Sequence, residues 1–467
     1  MTPVLALDEL TVSAGEARLV DGVSCAVERG HNLTILGETG SGKSLLAHAV
    51  MGTLPSGLGA RGDIRIHGVQ VPASGAGRQR LWGRTLALLP QEPWRSLDPT
   101  MRALSQVAEG YLGVPRAEAR TRAGQALRAL GLERAGRLFP FMLSGGMAQR
   151  VALAATGAGG ASIVVVDEPT KGLDANLRDD AIRVLRDVLT SGRTLLTITH
   201  DVYVARALGG HVAVMLDGRF VEQGPAEIVL VAPQHEYTRR LLAAEPSAWP
   251  ARPAPRCGAP VLSATGLTKR YGAKTLFADL DLEVREGDRL AVVGPSGSGK
   301  TTLGDVLVGV TRADAGQVQR RPDIGPFAYQ KLYQDPPAAF APRQTIGRSI
   351  DDVIARHRLD PREVERLRVR LRLDPALLER RPDQVSGGEL QRFALVRLLV
   401  LSPALVFADE PTSRLDPITQ QETTDLLVEH TAERGCALLL VTHDARIGAS
   451  VAGDAVLPIG GTRVPDV

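Results

Sequence analysis

The chain is written twice. Sliding the 467-residue sequence by 257 positions places Leu10 to Ser44 over Leu267 to Thr301 without a gap, with 12 identities in 35 positions. Further on, Gln91, Ser144, Asp167, Glu168 and His200 find partners, in the same order, in Gln334, Ser386, Asp409, Glu410 and His443. Ser144 and Asp167 are 23 residues apart, and so are Ser386 and Asp409. A duplication of this length sets the architecture before any local reading. It predicts a first domain over 1–245, a linker over 246–260 and a second domain over 261–467. The linker carries Pro246, Pro250, Pro253, Pro255 and Pro260, a density that suits a semi-extended connector and no helix.

Each half opens with apolar, strand-like segments, Leu33 to Leu36 and Leu290 to Val293, that run into a glycine loop and then an apolar helical stretch. The Arg-, Ala-, Leu- and Glu-rich residues between each glutamine and the following Ser-Gly-Gly read as helices of a separate lobe. Buried strands follow at Ile163 to Val166, Leu405 to Phe407, Leu195 to Ile198 and Leu438 to Val441. The fold class is therefore α/β, with a mostly parallel sheet in each half.

Both glycine loops have the phosphate-binding pattern: Gly37-Glu38-Thr39-Gly40-Ser41-Gly42-Lys43-Ser44 and Gly294-Pro295-Ser296-Gly297-Ser298-Gly299-Lys300-Thr301. Glycine lets the backbone aim N–H groups at phosphate oxygens, and the positive end of the following helix adds to the attraction. Lys43 and Lys300 are expected to reach the terminal phosphates, and Ser44 and Thr301 to ligate Mg2+. The chain has only six lysines, so two in these loops are informative. Asp167 and Asp409 end strand-like runs, where a carboxylate can hold the magnesium shell. Each is followed by a second acid in Asp-Glu-Pro-Thr, and Glu168 and Glu410 are assigned as general bases for an attacking water. Ser144-Gly145-Gly146 and Ser386-Gly387-Gly388 each precede a predicted helix, whose bare backbone donors bind anions.

At this point the sequence resembles the ATP-binding cassette (ABC) family, whose Ser-Gly-Gly signature sits between a phosphate loop and an Asp-Glu pair. The resemblance covers all but the linker. It implies two tandem P-loop NTPase domains, each with a parallel-sheet core, an antiparallel β subdomain and a helical lobe. It also implies head-to-tail pairing, so that each ATP lies between one loop and the other half's signature. The first site would then use Lys43, Ser44, Gln91, Asp167, Glu168 and His200 with Ser386 and Gly388. The second would use Lys300, Thr301, Gln334, Asp409, Glu410 and His443 with Ser144 and Gly146. By the same resemblance, His200 and His443 contact the terminal phosphate, Gln91 and Gln334 touch the metal and sense the attached partner, and Asp174 and Asp416 cross the seam. Both sites keep base and histidine, so both are expected to hydrolyse ATP.

Two departures break the symmetry. Tyr271 stands where the family stacks a ring on adenine, but the aligned residue in the first half is Ala14, which predicts weaker ATP binding there. Glu389 stands where many cassettes have Gln near the ribose.

Within the family, Gln91-Glu92-Pro93-Trp94-Arg95-Ser96-Leu97-Asp98-Pro99, Gln334-Asp335-Pro336 with Pro342-Arg343, Ser144 to Met147, and Val221 to Pro225 followed by His235-Glu236-Tyr237-Thr238-Arg239 resemble segments of peptide and nickel importers. The second half has no match to the Tyr237 tail. This implies a fused ATPase at the cytoplasmic face of the inner membrane, working with two transmembrane permeases and an external solute-binding protein. Peptides, nickel or metal chelates, opines and glutathione-like solutes remain open as cargo. The rivals are a soluble twin cassette acting on ribosomes or DNA, and a sugar or other small-solute importer.

Composition narrows the field further. The longest apolar stretch, Leu398 to Ala408, is interrupted by Ser402 and Pro403 and falls well short of the roughly 18 residues of a membrane span. Met1 to Leu10 shows no secretory pattern, so a cytosolic chain is expected. Basic and acidic residues, 55 against 52, leave too weak a field to suggest a nucleic-acid partner. Cys25, Cys257 and Cys436 lack the paired spacing of a zinc or iron-sulfur site.

Overall fold

The computed structural model describes residues 3–91, 96–171, 173, 175–250, 252, 258–272, 274–295, 297–412 and 415–460. It divides into two compact units, Met1–Ala243 and Ala244–Val467. In the first unit a six-stranded sheet runs in the order Arg219–Pro225, His211–Leu216, Asn32–Leu36, Thr194–Thr199, Ile163–Asp167, Leu86–Leu89. All its pairs are parallel except the outer hairpin made by the first two strands. The three central strands are buried along their whole length, as expected for parallel strands covered on both faces. That double burial explains their near-continuous apolar sequence. A separate four-stranded antiparallel sheet takes Ala17–Val27, Leu5–Ala14, Leu58–Ile66 and Val69–Val71. The helices Ala103–Glu109 and Arg116–Ala129 bury Val107, Ala123 and Leu127 in one core with Val151 and Leu153 of the helix Gly145–Ala158.

The second unit repeats the plan in shorter form. Its parallel sheet runs Tyr329–Leu332, Leu405–Asp409, Ala437–Thr442, Arg289–Val293, Val456–Pro458. An antiparallel sheet holds Lys274–Arg285, Pro260–Tyr271 and Ala315–Arg320. Its helical lobe contains Ile346–His357 and Pro361–Arg370, the latter capped by Asp360, whose carboxylate accepts from the Arg362 N–H at 2.9 Å.

The two cores fill the same space differently. The helix after the first loop places Ala47 where the second unit has Gly304, and the adjoining strands carry Val165 and Phe407 at matching positions. A Cβ on Gly304 would lie 2.1 Å from the fully buried Phe407 ring. The small residue on the helix is therefore the complement of the large one on the strand.

The start of the linker differs from expectation. Pro246–Ala248 forms a 3-10 turn, with proline's fixed φ already suited to the first helical position. Trp249 packs into the second unit's core and donates its indole N–H to the Ala244 carbonyl at 2.9 Å. Arg252 is paired with Asp425. Apolar burial of the tryptophan outweighs the extended preference of the neighbouring prolines. Residues 251 and 253–257, which include Cys257, lie outside the described residues.

Candidate active site

In each unit the glycine loop joins the end of a central strand to a helix that starts at its lysine, Lys43–Met51 or Lys300–Val308. The turn into the helix uses left-handed backbone at Gly42 (φ 99°) and Gly299 (φ 105°), which glycine adopts without penalty. Gly37 and Gly294 are required by close approach, because a Cβ on either would sit 2.3 Å from the carbonyl of Met215 or Ile459. Gly40 and Gly297 also have positive φ, and Ser41 and Ser298 complete the curl. The Lys43 ammonium donates to the carbonyls of Gly37 (2.8 Å) and Glu38 (2.6 Å) and lies 3.3 Å from Ser41 Oγ. Lys300 donates to Gly294 (2.8 Å) and Pro295 (3.0 Å). Both lysines are buried.

The strand-end acids sit beside these loops. Thr301 donates its hydroxyl to Asp409 Oδ1 at 3.0 Å, and a hydrogen bond from Ser44 reaches Asp167. Burial pushes the Asp167 carboxyl up to about 6, against the pull of Ser44, and raises Asp409 as well. Asp167 Oδ1 is buried with no hydrogen-bond partner among the described residues. A desolvated carboxylate oxygen beside a hydroxyl is a donor set that fits a hard cation such as Mg2+.

Glu168 and Glu410 adopt left-handed backbone, with φ of 52° and 46°. Non-glycine residues rarely take this conformation, and it persists only where the surroundings impose it. Here the Glu168 and Glu410 N–H groups are tied to the carbonyls of Ile198 and Val441 on the neighbouring strand. Both carboxylates are thereby turned toward the histidines, but the two clusters differ in detail. Glu168 Oε1 lies 2.7 Å from His200 Nδ1, and Oε2 accepts from Thr199 at 3.3 Å. Glu410 Oε2 accepts from Gln334 at 2.9 Å and is 3.5 Å from His443 Nδ1. Burial pushes both glutamates up and both histidines down. Attraction within each pair reverses this, leaving Glu168 and Glu410 below their ordinary range and His200 and His443 above theirs. Gln91 sits partly buried just beyond the edge strand Leu86–Leu89, while Glu92 to Arg95 lie outside the described residues.

Ser144 and Ser386 are the N-caps of Gly145–Ala158 and Gly387–Leu399, accepting from the N–H groups of Met147 (3.4 Å) and Glu389 (3.3 Å). Gly145, Gly146, Gly387 and Gly388 form the first helical positions. Glu389 has a definite role that the sequence did not reveal: its carboxylate closes a capping box and accepts from the Ser386 hydroxyl at 2.7 Å. Asp416 is buried and caps Pro417–Glu433, whereas Asp174 lies outside the described residues. Tyr271 ends its strand 58% exposed, with the Lys269 ammonium 5.5 Å from its ring centroid, and Ala14 ends the matching strand of the first unit.

Sequence reasoning missed most of the lysines here. Lys331 lies 2.6 Å from Asp305 and 3.7 Å from Asp409. Lys274 donates to the Gly297 carbonyl at 2.9 Å, and Lys171 lowers both Asp167 and Glu168. With Lys43 and Lys300, five of the six lysines of the chain touch or act on these two residue clusters, and the sixth, Lys269, pairs with Asp314. Their rarity was the signal that could have found them.

The model of the ABC transporter family matches residues 20–171 and 277–413. The chain belongs to the ABC transporter family. It is an ATP-binding, ATP-hydrolysing cassette protein. It is 33% identical over 500 residues to the peptidoglycan transport ATP-binding protein YejF of Agrobacterium fabrum, covering 97% of this chain and 91% of that protein. It is 31% identical over 519 residues to the glutathione import ATP-binding protein GsiA of Escherichia coli K12, covering 95% and 83%. Among solved structures, archaeal ribosome recycling factor aABCE1, in complex with the ribosomal stalk protein aP1, aligns over 93% of this chain and 84% of its own, with a TM-score of 0.66 at 20% identity. A structure titled RNase-L Inhibitor aligns over 98% and 90%, with a TM-score of 0.65 at 19% identity. These last two establish the α/β cassette fold alone. No helix among the described residues is long and apolar enough to cross a membrane.

Proposed function

We propose that this protein is the ATPase of a bacterial importer of the peptide and nickel type, driving uptake of a small solute through two separate permeases supplied by an external solute-binding protein. The observation that carries the reading is the repeated cluster of loop lysine, strand-end Asp, Glu base and histidine, present in full in both units. A spent cassette would lack one of these groups. The names of the relatives, for peptidoglycan and glutathione transport, favour a peptide-like cargo over nickel. The likeness to a ribosome recycling factor is too low in sequence to carry a ribosomal role.

On this reading the two phosphate loops each hold one ATP, and the two Ser-Gly-Gly helix starts contribute further donors to phosphate. Lys43 and Lys300 leave their carbonyl partners to take the terminal phosphates, an exchange of a neutral acceptor for a charged one. Ser44 with Asp167 and Gln91, and Thr301 with Asp409 and Gln334, hold Mg2+, which when bound neutralises charge on the phosphates. Glu168 and Glu410, kept ionised by their histidines, accept the proton of the attacking water. His200 and His443 orient the carboxylate through Nδ1, which leaves Nε2 for the phosphate. Hydrolysis is passed to the permeases through the helical lobes near Gln91 to Gly110 and Gln334 to Ile350, so the protein works at the cytoplasmic face of the membrane.

The test is uptake of candidate peptides by a strain in which Glu168→Gln and Glu410→Gln are combined. Uptake falls to background while ATP binding is retained, and the protein co-purifies with multi-span permeases. Uptake equal to the parent, or co-purification with ribosomes and no permease, overturns the reading.

A further inference from the structure

Far from the loop in sequence, the short helix Glu236–Ala243 carries Tyr237, which is 6% exposed. Its hydroxyl accepts the Glu38 N–H at 2.9 Å, a contact between residues 199 positions apart. The segment leading into the helix is held firmly. Glu222 on the last strand of the sheet accepts from the N–H groups of Gln234 (2.8 Å) and His235 (3.1 Å), and Arg239 donates to the Gln234 carbonyl at 2.8 Å.

The Glu38 N–H belongs to the same planar peptide group as the Gly37 carbonyl, and that carbonyl accepts from Lys43. One rigid peptide therefore separates the Tyr237 hydroxyl from the Lys43 ammonium. Gly37 has no Cβ to resist rotation of this peptide, so two hydrogen bonds hold it, one from Lys43 and one to Tyr237. The second unit solves the same problem by another route. Pro295 stands where Glu38 does and has no N–H to anchor, while a Cβ on Gly460 would come within 3.6 Å of the Pro295 ring. Lys300 still donates to the Gly294 carbonyl. The tail tyrosine and the loop glutamate thus occur together in the first half, and the second loop carries a proline in the glutamate's place.

We propose that Tyr237 is a positioning residue for ATP in the first unit, holding the Gly37–Glu38 peptide so that the loop amides keep their register on the phosphates once Lys43 has left the Gly37 carbonyl. The inference rests on the reading that the Lys43 loop binds ATP. It makes the tail helix a point from which affinity at the first nucleotide, and not the second, is set.

The experiment titrates a fluorescent ATP analogue with Mg2+ into the full chain carrying Lys300→Ala, so that the first loop alone takes nucleotide. Adding Tyr237→Phe raises Kd about three- to tenfold, the range for one lost hydrogen bond, with the fold retained by circular dichroism. In a Glu38→Pro background, which copies the second loop, Tyr237→Phe has no further effect. In a Lys43→Ala background, where the second loop alone binds, it has none either. Equal Kd with and without the hydroxyl, or an effect that survives Glu38→Pro or appears at the second loop, overturns the proposal. If the Lys300→Ala parent itself binds no nucleotide, the ATP reading of the first loop fails and the proposal fails with it.

Discussion

His200 Nδ1 lies 2.7 Å from Glu168 Oε1, whereas His443 Nδ1 lies 3.5 Å from Glu410 Oε2, an oxygen that also accepts from Gln334. The first pair is a direct contact; in the second, the glutamine shares the carboxylate. The raised His200 pKa contributes stability that is complete below its ordinary 6.5 and lost as pH rises through the folded value. The lowered Glu168 pKa contributes stability present above its ordinary 4.5 and lost as pH falls through the folded value. Glu168→Gln therefore destabilises the first unit most between pH 4.5 and 6.5, by about 1–3 kcal/mol, and lowers the His200 pKa. Urea unfolding across that range and histidine ring NMR read the two effects; a His200 titration unmoved by the substitution contradicts the pairing.

Lys331 puts a cation beside Asp409 at a position where the first unit has Leu88, and Asp305 stands where the first unit has His48, while Asp167 feels Lys43 and Lys171 instead. A positive charge at that carboxylate competes with Mg2+. Lys331→Leu with Asp305→His, which copies the first unit, lowers the Mg2+ concentration for half-maximal hydrolysis by about two- to tenfold. The assay uses Glu168→Gln protein so that the second site alone turns over.

Gly304→Ala drives a methyl into the Phe407 ring and costs about 1–3 kcal/mol by overpacking. Adding Phe407→Val, the first unit's residue, recovers most of the loss. Additive costs in the double variant would show that the two positions are not coupled.

Ala14 and Tyr271 end matching strands, so of these two positions only the second unit's carries a ring where the resemblance places adenine. Ala14→Tyr tightens nucleotide binding at the first loop by about 1 kcal/mol, measured with Lys300→Ala protein. Equal affinities of the two loops in the parent would already reject the difference.

The sequence disclosed what rests on local pattern. The glycine loops, the Ser-Gly-Gly caps and the Asp-Glu pairs declare themselves because each chemistry needs fixed residue types at fixed spacing. The central strands did so through double-sided burial. Tyr237, Lys331 and the Ser386–Glu389 link escaped for different reasons. The first two depend on contacts across the fold that no local spacing encodes. The third is a capping box whose letters were read instead as a departure near the ribose. The left-handed backbone at Glu168 and Glu410 also went unseen, since glutamate gives no hint of positive φ. Trp249 shows the converse, a proline-rich stretch whose start is drawn into the core by one aromatic side chain.

Five of the six lysines in 467 residues lie on these two residue clusters, which gives the protein an unusual chemical vulnerability. Its remaining positive charge is carried by arginines, which amine-directed acylating reagents leave alone. Acetylation, amine coupling to a surface or a lysine cross-linker therefore has few targets away from these clusters, and reaches the exposed Lys274 before the buried Lys43 and Lys300.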